Sequence, residues 1–260
     1  MSSSIVRHPA RQENQFSRSY QSASGSVAGG RKYNEDRCFR CDECYFYLVV
    51  DGMGGHRGGA LASQIAVEKI PQEFHHRFAD SYLSHVGIQA AFYDSVLETA
   101  SEMEAVAREH PGYGQMGCTL GVAIMLGSRL YFGNVGDCRV YRMHRRRLTL
   151  LTKDQTLVQG LVDNGLLNPE SARTHRWRNI VTNSVSARGL QQAPSLSWKK
   201  LSHGDRILVT SDGLADALLD HQIESIMART VDPESCVTQL IEGALDHQAR
   251  DNVSCVVVDH

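Results

Sequence analysis

No run of this sequence approaches the roughly 20 apolar residues needed to span a bilayer. Its opening residues, MSSSIVRHPARQENQFSRSYQSASGS, hold no apolar core of a secretory signal. A soluble cytoplasmic protein is therefore expected. An excess of charge is missing too. Against 29 Asp+Glu stand 27 Lys+Arg, a formal net charge of −2, which leaves no electrostatic footprint for nucleic acid or an anionic membrane. With that balance, Trp177 and Trp198 read as packing or flap residues rather than base-stacking platforms. Nucleotide motifs fail as well. No G-K-[ST] closes a P-loop, and in GMGGHRGG Arg57 takes the place of the third glycine of a dinucleotide fingerprint counted from Gly52. Neither a G-x-S-x-G elbow nor H-E-x-x-H occurs. The 7 cysteines are odd in number, and nothing directs them to an oxidising compartment, so they are expected as reduced thiols. Cys38, Cys41 and Cys44 form C-x-x-C-x-x-C but lack a fourth ligand at matching spacing, which argues against a metal–thiolate centre.

What is present suffices for one sizeable core: 260 residues, 42% hydrophobic, with no internal repeat and no obvious linker. Residues 1–25 are Ser-rich and poor in large apolar side chains, which predicts a loose arm with an edge strand near Phe16–Ser24. From there a single domain is expected over 26–260. Buried strands are predicted at YFYLVV before Asp51, Thr119–Leu126, Arg129–Val135, Arg139–Met143, Arg206–Thr210 and Ser254–Val258. Helical spacing marks Leu61 to Ile70, ending at Pro71, a long helix through Ile88, Phe92, Val96, Met103 and Val106, and a C-terminal helix through Val237, Leu240, Ile241 and Ala244. Strands and helices come in blocks, which favours antiparallel sheets in a mixed α/β (α+β) fold.

One device appears twice. In LVVDGMGG and in ILVTSDG a buried strand delivers an aspartate at its end, Asp51 and Asp212, followed by glycine. Each Asp-Gly alone reads more readily as a turn than as a site. Glu35-Asp36 and Asp251-Asn252 add two more acidic points beside strands. Four acidic loci at strand ends suit an oxygen-rich site for hard divalent cations, because carboxylates gathered without a cation repel one another. A pair of such ions clamps a phosphoryl group and activates a water. Arg31, five residues before Asp36, can supply a guanidinium fork for phosphate oxygens.

The segments RKYNEDR, LVVDGMGGHRGG, GCTLGVAIM, LYFGNVGDCRVY, LLTKDQTLVQGLVDNGLL, GDRILVTSDGLAD and DNVSCVVV occur in this order from about residue 25 to the end. Together they resemble the metal-dependent 2C-type (PPM) protein serine/threonine phosphatases in their bacterial form. The resemblance implies an αββα sandwich of two antiparallel sheets flanked by helices, with two Mn²⁺ or Mg²⁺ ions at one edge. Asp51 would bridge them and Gly52 would offer its carbonyl. Asp212 and Asp251 would bind one ion; Glu35 and Asp36 would serve the other. Asp137, in GDCR, matches a position that with Asp212 holds a weaker third metal. Arg31 would bind the substrate phosphate, and a flap over about 152–178 would discriminate substrates. The implied reaction is direct attack of a metal-bridging hydroxide on phosphoserine or phosphothreonine of a protein, reversing a cognate Ser/Thr kinase and carried out by a monomer.

This sequence departs from the family pattern in places. Met53 follows the first Asp-Gly where eukaryotic relatives carry a histidine, which leaves His56 or a water as general acid. The flap begins DQT where many members have Asp-His-Ser, and TNSVSARG replaces a Thr-Arg-Ala-Leu-Gly run. Asp154 reads as a solvated loop carboxylate, and Asp205 and Asp216 as turn and cap residues. Arg145–Arg147 cap a hairpin or steer an acidic phosphopeptide. A catalytically silent phosphoprotein-binding relative and a hydrolase of small phosphate esters are the alternative functions.

Overall fold

The computed structural model of the protein describes residues 20–79 and 84–260, and for His56 the backbone alone. The expected arm over residues 1–19 lies outside them. The expected edge strand is present but lies further along the chain: β1 (Gln21–Val27) is paired antiparallel with β11 (Val253–Asp259) so that Gln21 faces Asp259, which corrects the loose arm over residues 21–25. Residues 21–25 thus belong to the sheet, because their backbone groups complete the ladder of β11.

Alternation along the strands builds the layers. In β3 (Phe46–Met53), Phe46, Leu48 and Val50 enter one core while Tyr47 and Val49 enter another. The same split occurs in β4 (Gly117–Leu126) and in β10 (Arg206–Thr210), where Ile207 and Val209 point opposite to Leu208. Strands buried on both faces read as unbroken apolar runs, which is how YFYLVV and RILVT read. One sheet has the order β2-β3-β4-β5-β9, with β2 at Arg37–Cys41, β5 at Arg129–Val135 and β9 at Ser197–Lys200; the short β8 (Val185–Ser186) pairs with β4. The other has the order β1-β11-β10-β6-β7, with β6 at Arg139–His144 and β7 at Arg147–Leu150. Every pairing is antiparallel.

Helices α1 (His56–Ala79) and α2 (His85–Glu109) cover the first sheet. Two short helices, α3 (Leu157–Asp163) and α4 (Pro169–Thr174), belong to the flap. Helices α5 (Asp212–Ala217), α6 (Asp220–Arg229) and α7 (Pro233–Asp246) cover the second sheet. The result is the expected αββα sandwich with three apolar layers. Phe46, Phe74 and Phe92 are fully enclosed in the first of these, each contributing roughly 2–3 kcal/mol by leaving water.

Several local expectations are revised. Helix α1 does not stop at Pro71 but runs eight residues further, to Ala79. Proline removes one backbone bond, yet Val67, Ile70 and Phe74 continue the same buried stripe across it, and Phe74 stacks on Phe78 at 5.4 Å. Cys41 and Cys44 are joined as a disulfide at the β2–β3 turn, where their Cα atoms are 5.2 Å apart, so the expectation of seven thiols is wrong for this pair. The other five cysteines are free. Cys38 is turned away from the pair, its thiol facing the carbonyls of Gly25 and Cys255, and burial pushes its pKa up to about 12. The repeated Asp-Gly device also resolves into two different structures. Asp51 and Gly52 remain inside β3, opposite Thr119 and Cys118, whereas Asp212 opens helix α5 with Ser211 as its N-cap position.

Candidate metal centre

Register alone gathers the acids. In the first sheet Arg37 lies opposite Val50, so Asp36, just before β2, comes beside Asp51, just beyond Val50. In the second sheet Thr210 lies opposite both Arg139 and Cys255. The segments just outside these positions, holding Asp137, Asp212 and Asp251, therefore emerge at one common end. Asp51 is two residues past Val49 and so shares its face, toward the other sheet. The outcome is a cavity of about 330 Å³ lined by Arg31, Glu35, Asp51, Gly52, Asp137, Asp212 and Asp251, with Lys32, Tyr33, Thr119 and Asn179 around them.

Electrostatics at this cavity favour a cation. Burial, then the charges of Asp212 and Asp36, raise Asp51 well above the usual carboxylate range. Asp212 is raised likewise, by burial first and then by Asp137 and Asp251. Burial lifts Asp36 and Asp137 to about 6. The Oδ1 atoms of Asp36 and Asp212 are buried with no hydrogen-bond partner. An unpaired buried carboxylate oxygen is costly, and several facing one another are more so, unless a positive charge joins them. Hard oxygen donors of this kind fit Mn²⁺ or Mg²⁺. Among the described residues no three His, Cys, Asp or Glu side chains are drawn into a closed ion-holding cluster; the carboxylates stand apart around the cavity.

The supporting contacts are specific. Ser211 donates to Asp36 Oδ2 at 2.8 Å, and it reaches that oxygen because it follows Val209 on the inter-sheet face. Arg31 Nη2 holds Asp251 Oδ2 at 2.7 Å. Glu35 lies over Gly59, where no side chain intervenes. Asn252 is the staple of the site. Its amide donates to the carbonyls of Ala28 and Tyr33, both at 2.9 Å, and its Oδ1 accepts from the Glu35 N–H at 2.8 Å. These bonds tie the Arg31–Glu35 loop to the start of β11. We expect Asn252→Ala to cost about 2–3 kcal/mol in urea unfolding, since three polar groups lose their partner. It should also raise KM more than it lowers kcat; an unchanged KM would show that the loop is held by other contacts.

Sequence reasoning located every acid of the cavity but missed Ser211, Thr119 and the stapling role of Asn252. The alternation in ILVTS was the available signal for Ser211. His56 opens α1, and its side chain lies outside the described residues. Asp154 is not solvated: Arg139 grips it with Nε and Nη2, at 2.9 and 2.6 Å. Asp205 is fully buried and accepts from Arg142 and His144 at 2.6 and 2.7 Å, a buried anchor rather than a simple turn residue. The DQT departure has a structural use. Gln155 donates its N–H to the Gly136 carbonyl at 2.8 Å and accepts from the Gly136 N–H at 2.7 Å, clasping the flap to the turn that presents Asp137. The Arg145–Arg146 turn, with φ of 49° and 63°, lies at the far end of β6 from Asp137 and so cannot steer a substrate at the cavity.

A profile described as protein phosphatase 2C matches residues 30–246. The chain belongs to the protein phosphatase 2C family. Among curated relatives it is 34% identical over 231 residues to the serine/threonine protein phosphatase PstP of Mycobacterium tuberculosis, covering 88% of this chain and 42% of that protein. The chain thus spans less than half the length of that relative. Among solved structures, the catalytic domain of PstP in complex with two manganese ions superposes with a TM-score of 0.78 at 30% identity, over 92% of this chain and 97% of that one. The phosphatase Stp1 of Staphylococcus aureus superposes with a TM-score of 0.85 at 26% identity, over 97% and 99%.

Proposed function

We propose that this chain is a Mn²⁺- or Mg²⁺-dependent protein serine/threonine phosphatase that removes phosphate from phosphoserine and phosphothreonine. The observation that carries the reading is the gathering of Glu35, Asp51, Asp137, Asp212 and Asp251 around one cavity overlooked by Arg31, with buried, unpartnered Oδ1 atoms on Asp212 and on the neighbouring Asp36. Asp51, Asp212, Asp251 and the Gly52 carbonyl are the residues to hold two ions, with Glu35 and Asp36 serving one of them and Asp137 joining Asp212 at a weaker third. When bound, the ions supply charge that offsets the phosphoryl oxygens and makes a water acidic enough to act at neutral pH.

The protein's own groups do the rest by positioning and electrostatics. Arg31 is 59% exposed and spends only Nη2 on Asp251. Nε and Nη1 of its fork have no partner among the described residues and are available to phosphate oxygens. Asp51 and Asp212 are half-buried at the inter-sheet side, which weakens the screening of their charge by water. His56, or a water, gives the proton to the departing seryl or threonyl oxygen. We place the enzyme as a cytoplasmic monomer that opposes a Ser/Thr kinase. No helix among the described residues is long and apolar enough to cross a membrane.

Phosphate release from a phosphothreonine peptide tests the reading. Activity is expected with Mn²⁺ and should vanish with chelator. Wild-type protein silent under every divalent metal would overturn the enzyme reading and favour a silent phosphoprotein binder. Activity that survives chelation would overturn the metal mechanism. Equal efficiency on p-nitrophenyl phosphate and on phosphoprotein would point to a small-ester hydrolase.

A further inference from the structure

An open groove of about 580 Å³ continues from the metal centre, sharing Arg31 and Asp251 with it, and runs between the flap and the loop that joins α7 to β11. Four guanidinium groups line it, those of Arg31, Arg173, Arg178 and Arg250, against the carboxylates of Asp216 and Asp251. The two acids are already engaged. Arg31 holds Asp251 at 2.7 Å, and Arg178 faces Asp216 at 3.5 Å. Arg173 and Arg250 are left over. Arg173 is exposed, steadied by one bond from Nη2 to the Ala215 carbonyl at 3.1 Å, and among the described residues it meets no carboxylate. Arg250 is exposed, and its side chain makes no hydrogen bond or ion pair among the described residues.

These two charges stand on opposite walls, and both walls are braced. Arg173 sits in α4, which starts from an Asn168 cap bond to the Ser171 N–H at 2.7 Å. Arg250 lies between Ala249, whose N–H bonds the Ala244 carbonyl at 3.0 Å, and Asp251, next to the Asn252 staple. Uncompensated guanidinium groups on a braced surface, in a chain of net charge −2, form a recognition site for an anion rather than part of a general basic coat. We propose, on the basis of the phosphatase reading, that this groove takes a second anionic group of the substrate, carried by a residue flanking the phosphorylated one. That group is a carboxylate or a second phosphate, and Arg173 and Arg250 are the specificity-determining residues.

The experiment compares kcat/KM at low and high salt on three phosphothreonine peptides: neutral flanks, glutamate flanks, and a second phosphoserine nearby. Wild type should favour the glutamate peptide over the neutral one by roughly fivefold, and the doubly phosphorylated peptide by more, both preferences shrinking with salt. The double variant R173Q/R250Q should bring all three to the neutral level through KM. Its rates on the neutral peptide and on p-nitrophenyl phosphate should stay unchanged. A gain with phosphoserine alone assigns the groove to phosphate, and equal gains assign it to anions in general. Wild-type indifference to flanking charge overturns the proposal. So does a variant that loses the same fraction on every substrate, because that is a structural effect. If no substrate is hydrolysed at all, the phosphatase reading fails, and fluorescence anisotropy decides the groove separately. A glutamate-flanked peptide with unmodified threonine should bind wild type more tightly than R173Q/R250Q; equal binding overturns the proposal.

Discussion

Asp212→Asn is expected to lower kcat/KM on a phosphothreonine peptide by roughly 10³-fold, and at the same time to stabilise the chelated protein. Both effects have one origin. Asp212 is half-buried, its enclosed Oδ1 has no partner, and Asp137 and Asp251 repel its charge. An amide of the same shape removes that repulsion, worth about 1–2 kcal/mol, or a few degrees in Tm for a domain of this size. Saturating Mn²⁺ should reverse the order, because an ion bound only by the folded state stabilises the wild type and holds the variant less well. The pH dependence follows with a fixed sign. Asp36 and Asp137, raised to about 6, bind more protons folded than unfolded between about 4 and 6. Their contribution to the chelated protein is therefore full below about 4 and is lost as pH rises through 6. Differential scanning fluorimetry with chelator and with Mn²⁺, across pH, checks all three statements. A variant that melts lower in chelator, or that keeps wild-type activity, would sink the account of the cavity as a set of acids awaiting cations.

Gly52→Ala is expected to cost roughly 3–5 kcal/mol and to abolish activity in whatever protein folds. An added Cβ would lie 2.6 Å from the Gly59 carbonyl carbon and 2.7 Å from the Glu35 carbonyl oxygen. Both are backbone atoms, one within α1 and one in the loop that Asn252 holds, so neither can yield cheaply. Gly55→Ala is the control. Its φ of 84° strains a side chain, but nothing lies within 4 Å of the new methyl group, so about 1–2 kcal/mol is expected. Urea unfolding of the two variants compares close backbone approach with conformational strain. Equal costs would show that the backbone around Gly52 moves to admit a methyl group, so that the close approach is not what requires glycine there.

The layers of the sandwich were legible because doubly buried strands have no polar face to confuse the reading, as YFYLVV and RILVT illustrate. The acids were legible for a related reason: a charge directly at the end of such a strand has few places to go but the rim of the sheet. Three things were hidden. Pro71 looked like a terminus because local chemistry disfavours it in a helix, while the buried stripe through Phe74 acts over longer range. The Cys41–Cys44 bridge depended on how tightly the chain turns between β2 and β3, which spacing alone does not express. Ser211 and Asn252 act on partners 175 and 224 residues away, Asp36 and Ala28, and no local pattern announces such a contact.

The place of β11 governs when this protein comes into being during synthesis. Val253–Asp259 is the next-to-edge strand of its sheet, and the only described strand to which β1 is joined. A nascent chain that has not yet released these residues from the ribosome cannot finish the sheet, and it lacks Asp251 and the Asn252 staple. The ribosome-bound chain must therefore hold β1 unpaired for more than two hundred residues of translation. Long-range closure of this kind is slow and exposes sticky edges. The second sheet and the acids beside it are complete only when translation has passed Asp259, so on the proposed reading an abandoned fragment is inert.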